Sequence, residues 1–346
     1  MKRLPAEDVL VGRLQALFAT RRRDVLVGVG DDAAVVAGAE RLVATTDTLV
    51  EGQDFRKDAD PRRLGRKAVS VNLSDLAAMG ASPLWALLAL GLPRRTDPAW
   101  LDAFADGVRE AAQEYGVAVV GGDLSASPSL FVAVTALGRA PADGPVRRSG
   151  ARPGDALFVS GTLGSAAAGF LLLEAGFRLK ADRSVKAPGR TRLLPPRSTE
   201  VARLIRHQID PRPMVELGRA LAEGPVASSA IDLSDGLSRD LHRLCRATGL
   251  SASIDLERLP VDTALADLRG LVRLDPLRLA LFGGEDYGLL FTVPRRRRAA
   301  AEQLSARFPI RQIGIVDDRH EPGTAWLRGA EGERRLPDAG WDHFDR

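Results

Sequence analysis

The chain has 346 residues, of which 45% are hydrophobic and 27% are charged, with a formal net charge of +4 and one cysteine, Cys245. This length fits about two globular domains, and no apolar run approaches the roughly 20 residues that a transmembrane helix requires. One cysteine excludes an intrachain disulfide framework, an aromatic content of 5% argues against single-strand nucleic-acid binding, and we expect a cytoplasmic protein.

Hydrophobic periodicity predicts helices and strands in alternation through the first part of the chain. In order, the expected elements are helix 5–19, strands 24–28 and 42–49, helix 61–79, strand 83–92, helix 98–115, and strands 117–120 and 130–137. A loop rich in glycine, proline, aspartate and arginine, residues 138–155, separates this part from the next.

The second part repeats the mixed pattern of strands and helices. In order, we expect strand 156–160, helix 165–174, a basic and mobile excursion at 176–199, a helix near 213–222, strand 230–233, a helix after Gly236, strand 287–293, a helix near 296–306 and a β-rich tail. Alternation in both parts predicts two α/β (or α+β) domains, residues 1–147 and 148–346.

Six acidic clusters, each beside glycine, serine or threonine, are distributed along the chain. They are Gly30-Asp31-Asp32, Thr45-Thr46-Asp47, Ser74-Asp75, Gly121-Gly122-Asp123, Asp232-Leu233-Ser234-Asp235-Gly236 and Gly283-Gly284-Glu285-Asp286-Tyr287. Carboxylate oxygens suit hard cations such as Mg²⁺, and small neighbours let a phosphate approach the backbone. Because the chain has no P-loop sequence, the charge of bound phosphates would be balanced mainly by carboxylate-held Mg²⁺. The clusters therefore favour an enzyme that handles a nucleoside triphosphate through Mg²⁺.

Each aspartate taken alone also fits a turn or a helix cap. Asp75 is harder to explain in that way, because it lies within an otherwise apolar helical stretch. The segment Gly28-Val29-Gly30-Asp31-Asp32-Ala33 formally matches a dinucleotide-binding fingerprint. Two carboxylates occupy the place where a pyrophosphate would meet a helix N-terminus, so the segment disfavours a Rossmann site.

The order of the clusters resembles that of the thiamine-monophosphate kinase family. The segments that carry the resemblance over nearly the whole chain are 29–34, 45–52, 71–81, 120–123, 148–155, 229–237, 283–287 and 340–344. The resemblance implies a fold shared with aminoimidazole-ribonucleotide synthetase, in which the N-terminal domains pair into a dimer and ATP lies in a cleft against the C-terminal domain. It implies that the chain phosphorylates thiamine monophosphate to thiamine diphosphate, by direct in-line transfer from ATP with Mg²⁺.

Site residues follow from the same resemblance, position by position. The implied Mg²⁺ ligands are Asp31, Thr45, Thr46, Asp47, Asp75, Asp123 and Asp232, with Asp235 holding a further ion; Asp47, Asp75, Asp123 and Asp235 are the implied catalytic residues. Gly122, Asp123, Arg148 and Ser234 are expected to contact ATP. Asp54, Glu285 and Trp341 are expected to contact the thiamine phosphate.

The acceptor side departs from the family pattern at Asp54, where the family usually has histidine. An acid there would repel a substrate phosphate unless a metal or an arginine intervenes, and replacing it with histidine is expected to lower the KM for the acceptor. Two alternatives stay open. One is an enzyme of the same fold acting on another acceptor, such as a ribonucleotide amidine, and the other is a non-catalytic nucleotide-binding scaffold.

Overall fold

The computed structural model describes residues 7–27, 35–38, 41–180, 182, 184–189, 191, 193–224, 226–268, 270–272 and 275–342. Contacts between Cα atoms divide the chain into an N-terminal unit, Met1–Leu76 with Ala81–Pro141, and a C-terminal unit, Ala77–Gly80 with Ala142–Arg346. Both units mix helices with strands, so the predicted α/β class is confirmed. Within the described ranges, no helix is both long enough and apolar enough to cross a bilayer.

The N-terminal unit is built on a four-stranded sheet with helices packed on one face. Its elements are α1 (Glu7–Leu17), β1 (Val25–Val27), β2 (Val35–Val36), β3 (Leu42–Val50), α2 (Pro61–Ala78), β4 (Ser82–Leu92), α3 (Pro98–Glu114), β5 (Ala118–Ala126) and β6 (Phe131–Arg139). The strand order in the main sheet is β3-β6-β4-β5, in which β4 and β5 are parallel and the other pairs are antiparallel. The strands β1 and β2 form a separate pair.

Helices α2 and α3 pack closely because each places a glycine against the backbone of the other. A Cβ atom on Gly65 would lie 2.2 Å from the carbonyl oxygen of Phe104, and one on Gly107 would lie 1.8 Å from that of Arg62. The start of α3 is fixed by Asp97, whose side chain accepts from the N–H of Ala99 at 2.9 Å, with proline in the first turn. The two glycines therefore fix α2 and α3 side by side.

The C-terminal unit is built on a seven-stranded sheet. Its elements are β7 (Ala156–Ser160), α4 (Ser165–Glu174), β8 (Arg178–Leu179), β9 (Val185–Lys186), α5 (Arg197–Ile209), α6 (Val215–Glu223), β10 (Ser229–Asp232), α7 (Leu237–Thr248), β11 (Ser251–Asp255), α8 (Ala264–Asp267), α9 (Pro276–Phe282), β12 (Leu289–Val293), α10 (Arg298–Ser305), β13 (Ile310–Asp317), β14 (Ala325–Gly329) and β15 (Gly332–Arg335). The strand order is β10-β12-β7-β13-β11-β14-β15, and β8 pairs with β9. Helix α7 packs its apolar face on this sheet, and Cys245 is fully buried in that core.

Three differences from the predicted elements bear on the site. The strand expected to end at Val120 continues as β5 to Ala126, so Gly121, Gly122 and Asp123 lie within a strand. Helix α5 and strand β11 were not predicted. Strand β11, with its serines, has a low apolar content, and it is buried through pairing with β13 and β14 on both sides.

Candidate active site

Asp75 reaches solvent from a stretch of helix α2 that is otherwise buried. Every other residue from Lys67 to Ala78 is buried, whereas Asp75 is partly exposed. The hydroxyl Oγ1 of Thr45, on β3, donates to the Asp75 carboxylate at 2.5 Å. Two of the expected ligands, distant in sequence, therefore contact each other in the N-terminal unit.

Asp47 is held at the sheet edge by a residue that the sequence analysis did not single out. Strand β3 is an edge strand, and its Asp47 N–H donates to Oδ1 of Asn72 at 3.0 Å. The amide of Asn72 in turn donates to the Ala68 carbonyl oxygen at 3.0 Å, and the side chain is completely buried. An asparagine one turn before Asp75, within an apolar helix, was the available signal.

The pairing register separates the remaining N-terminal residues by face. Thr46 is in register with Thr135 and Leu87, and Asp123 is in register with Ala89, so Thr46 and Asp123 share one face with β6 and β4 between them. Because side chains alternate along a strand, Thr45 and Asp47 lie on the other face, toward α2. Asp123 accepts from the Ser125 hydroxyl at 2.8 Å, and Thr46 donates to the Val134 carbonyl oxygen at 3.1 Å.

Gly122 is required by a close approach of two strands. A Cβ atom at this position would lie 1.9 Å from the carbonyl oxygen of Leu88. Together with Gly121 and Asp123, Gly122 also lines a cavity of about 70 Å³ whose other walls are apolar, including Leu14 and Phe18. The glycine therefore leaves backbone accessible beside Asp123.

Two acidic loops are joined by hydrogen bonds in the C-terminal unit. One begins directly after the buried Asp232, the last residue of β10, and contains Ser234; the other, residues 283–287, precedes β12. The N–H of Glu285 donates to the Ser234 carbonyl oxygen at 2.8 Å, and that of Tyr287 donates to Leu233 at 2.9 Å. Glu285 has φ of 66°, a left-handed conformation that is uncommon for a residue with a side chain and that occurs often at functional sites.

Hydrogen bonds made by the side chains of Asp286 and Gln208 hold the second loop, residues 283–287, in place. The carboxylate of Asp286 accepts from the N–H groups of Gly164 at 2.7 Å and Ala166 at 3.0 Å, at the start of α4. Desolvation by the surrounding protein raises the pKa of Asp286 to about 7. The buried amide of Gln208, on α5, donates to the Glu285 carboxylate. Gln208 was not predicted as a site residue, because helix α5 itself was not predicted.

Asp235 is paired with a cation of the chain itself. Arg243 Nη1 lies 2.5 Å from Asp235 Oδ2 and donates to Asp240 Oδ1 at 2.8 Å. Asp240 also accepts from the Asp235 N–H at 3.1 Å. Burial, followed by the neighbouring Asp235 carboxylate, raises the pKa of Asp240 to about 7. Neither Arg243 nor Asp240 was predicted as a site residue. Both follow the acidic cluster on α7, whose polar sequence is typical of a solvent-exposed helix.

Trp341 lies beside the same loop. Its backbone N–H donates to the carbonyl oxygen of Asp235 at 2.9 Å, and the residue is exposed. Arg148 is also exposed, next to Arg147, whose carbonyl oxygen accepts from the N–H of Ala230 on β10. The C-terminal unit therefore brings Asp235, Ser234, Glu285 and Trp341 onto connected segments.

Asp31 and Asp54 are the two remaining residues that the resemblance assigns to the site. Asp31 lies outside the described residues. Asp54 closes a turn after β3, since its carboxylate accepts from the Val50 N–H at 2.8 Å and its own N–H donates to the Val50 carbonyl oxygen at 2.9 Å. In the part of the chain that the structure describes, no three acidic, histidine or cysteine side chains form a group ready to hold a metal.

Comparison with known proteins gives the family. Two family models match, AIR synthase related protein, N-terminal domain, over residues 30–140, and AIR synthase related protein, C-terminal domain, over residues 152–326. A thiamine-monophosphate kinase from Salmonella typhimurium is 40% identical over 311 residues, which cover 89% of this chain and 87% of the relative. The chain belongs to the thiamine-monophosphate kinase family.

Solved structures of this family share the fold. The thiamine-monophosphate kinase from Stenotrophomonas maltophilia K279a is 36% identical, with a TM-score of 0.79 over 95% of this chain and 98% of that one. A structure described as AaThiL complexed with AMPPCP and TMP is 31% identical, with a TM-score of 0.75 over 99% of both chains. The predicted fold, with N- and C-terminal AIR synthase-related domains, is confirmed.

Proposed function

We infer that the chain is a thiamine-phosphate kinase, which transfers a phosphoryl group from ATP to thiamine monophosphate and forms thiamine diphosphate. The observation that carries this function is the match over 99% of both chains to AaThiL, a protein that binds the ATP analogue AMPPCP together with TMP. Thiamine-monophosphate kinases at up to 40% identity support the same activity. The roles of individual residues, the metal and the assembly are proposals that rest on the geometry of each unit.

The residues of the N-terminal unit fit a role in holding Mg²⁺. Thr45 and Asp75 present oxygens that already contact each other, and Asp47 lies on the same face of β3 as Thr45. Thr46 and Asp123 present oxygens on the opposite face of the sheet, where we propose a separate ion. Mg²⁺ is commonly bound by one or two carboxylates, with substrate phosphates and water completing its coordination. The lack of a three-carboxylate group among the described residues is therefore compatible with Mg²⁺ that arrives with a nucleotide. When bound, Mg²⁺ would neutralise phosphate charge.

The chain's own residues would then bind and orient the two substrates. We propose that Gly122, whose backbone lies open beside Asp123, contacts the nucleotide, and that Ser234 and the exposed Arg148 contact its phosphates. Asp232 and Asp235 would hold further Mg²⁺, the latter after exchanging its partner Arg243. Glu285, Trp341 and Asp54 would contact the thiamine phosphate. A phosphate monoester is largely dianionic at neutral pH, so its oxygen can attack in line without a general base.

We also propose a homodimer, formed through the uncovered face of the N-terminal sheet. Strand β4 lies between β6 and β5, yet its Leu87 is 38% exposed. The residues in register beside it, Thr46 and Thr135, and the neighbouring Ala89 and Ala133 carry no charge. An exposed, uncharged patch in the middle of a sheet face, here with Asp123 on β5 at its border, is typical of a surface that a second subunit covers. Replacing Leu87 with lysine is expected to shift the mass measured by light scattering from dimer to monomer.

We also propose that the protein resides in the cytoplasm.

The activity is tested by incubating the purified protein with Mg²⁺, ATP and each of three acceptors. Thiamine diphosphate and ADP are expected with thiamine monophosphate, and no transfer is expected with free thiamine or aminoimidazole precursors. Omitting Mg²⁺ should abolish the product.

Asp75→Asn is expected to lower kcat more than 100-fold, on the order of the loss expected when phosphate charge is left uncompensated. Asp102→Asn, at an exposed carboxylate of the same unit, is the control. Nucleotide binding with unchanged turnover in Asp75→Asn would contradict the catalytic role.

A further inference from the structure

The C-terminal segment 336–342 lies along helix α7 in the C-terminal unit. It leaves the sheet at Leu336, whose N–H donates to the Ala325 carbonyl oxygen at 2.9 Å. Side chains of α7 then hold it at three points: Ser238 donates to the Pro337 carbonyl oxygen, Arg246 pairs with Asp338 at 2.6 Å, and Arg239 pairs with Asp342 at 2.6 Å. The segment is therefore fastened to the helix that begins beside Asp235.

Arg239 and Arg246 each form an ion pair with the C-terminal segment, but at different points along it and with different exposure. Seven residues separate them, about two turns of helix, so both guanidinium groups lie on the same side of α7. The side chains of the Arg239–Asp342 pair are 19% and 33% exposed, whereas those of the Arg246–Asp338 pair are 51% and 41% exposed. Less exposed ion pairs are screened less by solvent, so the Arg239–Asp342 pair holds its end of the segment more firmly.

Both chain neighbours of Trp341, Gly340 and Asp342, are held in place by contacts with α7 and the Asp235 loop. On one side, Gly340 approaches so closely that a Cβ atom there would lie 2.3 Å from the Asp235 carbonyl oxygen and 2.9 Å from the Arg239 Cβ. On the other side, Asp342 is held by Arg239. Trp341 is 43% exposed as a whole residue, so it presents aromatic surface to solvent beside the Asp235 loop.

We propose that Arg239 is a positioning residue for the acceptor, because it holds Asp342 and thereby fixes the ring of Trp341. This inference rests on the proposed function, in which Trp341 contacts the thiamine phosphate. An aromatic face suits the cationic thiazolium ring of that substrate. When Arg239 is lost, one anchor beside Trp341 is removed, and the ring has more conformational freedom to lose when the acceptor binds. The cost falls on acceptor binding, whereas ATP binding and turnover at saturation depend on other residues.

The test compares Arg239→Met and Asp342→Asn with Arg246→Met as the matched control. Methionine keeps helix propensity and removes the charge. The KM for thiamine monophosphate is expected to rise about three- to tenfold in the first two variants, as the loss of a partly buried ion pair implies. The KM for ATP, kcat and the KM values of Arg246→Met should stay within about twofold of wild type, a change too small to indicate a lost contact. Exchanging the charges, with Arg239→Asp and Asp342→Arg together, should recover most of the acceptor KM.

A fluorescence measurement separates this inference from the function on which it rests. The emission of Trp341, taken as the difference between each protein and its Trp341→Phe counterpart, should be quenched more readily by acrylamide in Arg239→Met than in wild type or Arg246→Met. This readout needs no turnover, so a wild-type protein without kinase activity would overturn the proposed function alone. Equal effects of Arg239→Met and Arg246→Met, or unchanged KM and quenching in Arg239→Met, would overturn the positioning role.

Discussion

Arg243 Nη1 lies 2.5 Å from a carboxylate oxygen of Asp235, a residue that the family resemblance assigns to a metal site. The carboxylate is therefore already paired with a cation of the chain itself. The same guanidinium contacts Asp240, which is completely buried. Before any metal binds, the Arg243 guanidinium offsets the repulsion between the neighbouring carboxylates of Asp235 and Asp240. Exchange of the guanidinium for Mg²⁺ would then couple metal binding to a movement of the Arg243 side chain.

Replacing Arg243 with methionine is expected to destabilise the protein in the absence of Mg²⁺. Removing one partner of a buried pair costs about 3–5 kcal/mol, and partial exposure of Arg243 reduces this to about 1–3 kcal/mol. Mg²⁺ with AMPPCP should restore more unfolding free energy in this variant than in wild type, because the cation replaces the lost charge. Urea unfolding with and without these ligands measures both effects. Arg246→Met, on the same helix, is the control, and an equal ligand effect in the two variants would mean that Asp235 binds no metal.

The hydroxyl of Thr45 is expected to orient Asp75 for its role. Thr45→Val removes the hydrogen bond to the carboxylate while keeping the shape of the side chain. Groups that orient a metal-binding carboxylate typically contribute about 10- to 100-fold to metal affinity or activity, so kcat should fall and the Mg²⁺ requirement should rise. Thr45→Ser retains the hydroxyl and should stay close to wild type. Steady-state rates over a Mg²⁺ titration make the comparison, and similar rates for the valine and serine variants would show that the hydrogen bond has no role in catalysis.

The contacts that hold the predicted site residues in place could not be predicted from the sequence. Asp75 was proposed as a site residue because its carboxylate interrupts an apolar helical pattern. Asn72, Gln208 and Arg243 act through contacts that arise only when separate elements pack or when a helix turns its face toward a loop. Local periodicity does not report such contacts. Helix α5, with its Gln208, was missed because it follows a proline-rich basic stretch.

The extent of β5 was missed for a related reason. Glycines usually weaken a strand, so Gly121 and Gly122 predicted an end after Val120. The structure continues the strand through them, because a parallel partner, β4, passes so close to Gly122 that only glycine fits. The glycine pair therefore marks a close backbone approach, and the acidic cluster lies on the sheet itself.

Asp286 is expected to make stability depend on pH between about 4 and 8. Desolvation raises its pKa from 3.8 to about 7, so the folded state holds the proton more tightly than the unfolded state. The stabilising contribution is complete below the unfolded pKa and is lost as the pH rises through about 7. Asp286→Asn does not ionise, and its one amide oxygen can accept from only one of the N–H groups of Gly164 and Ala166, a loss that is the same at every pH. The unfolding free energy of the variant relative to wild type should therefore increase by about 2–4 kcal/mol from pH 4 to pH 8. Urea unfolding across this range measures the difference, and a constant difference would contradict the raised pKa.

Asp54 combines a structural contact with an unfavourable charge for an acceptor phosphate. Its carboxylate accepts from the Val50 N–H, so a substitution can act through the turn as well as through the charge. Asp54→Asn separates the two effects, because the amide oxygen can still accept from Val50 while the charge is removed. If the side chain faces the acceptor, this variant should lower the KM for thiamine monophosphate about two- to fivefold, as expected for one partly screened like-charge interaction.

Asp54→His goes further, since it can supply a cation but loses the carboxylate acceptor of the turn. A lower KM in both variants would place the side chain against the substrate phosphate. A lower KM in Asp54→Asn with reduced thermal stability in Asp54→His would show that the turn limits the histidine variant. Asp58→Asn is the control, because Asp58 lies four residues further along the same loop and pairs with Arg56 at 2.9 Å. If Asp54→Asn and Asp58→Asn leave the KM equally unchanged, Asp54 does not face the acceptor, and its carboxylate serves the turn alone.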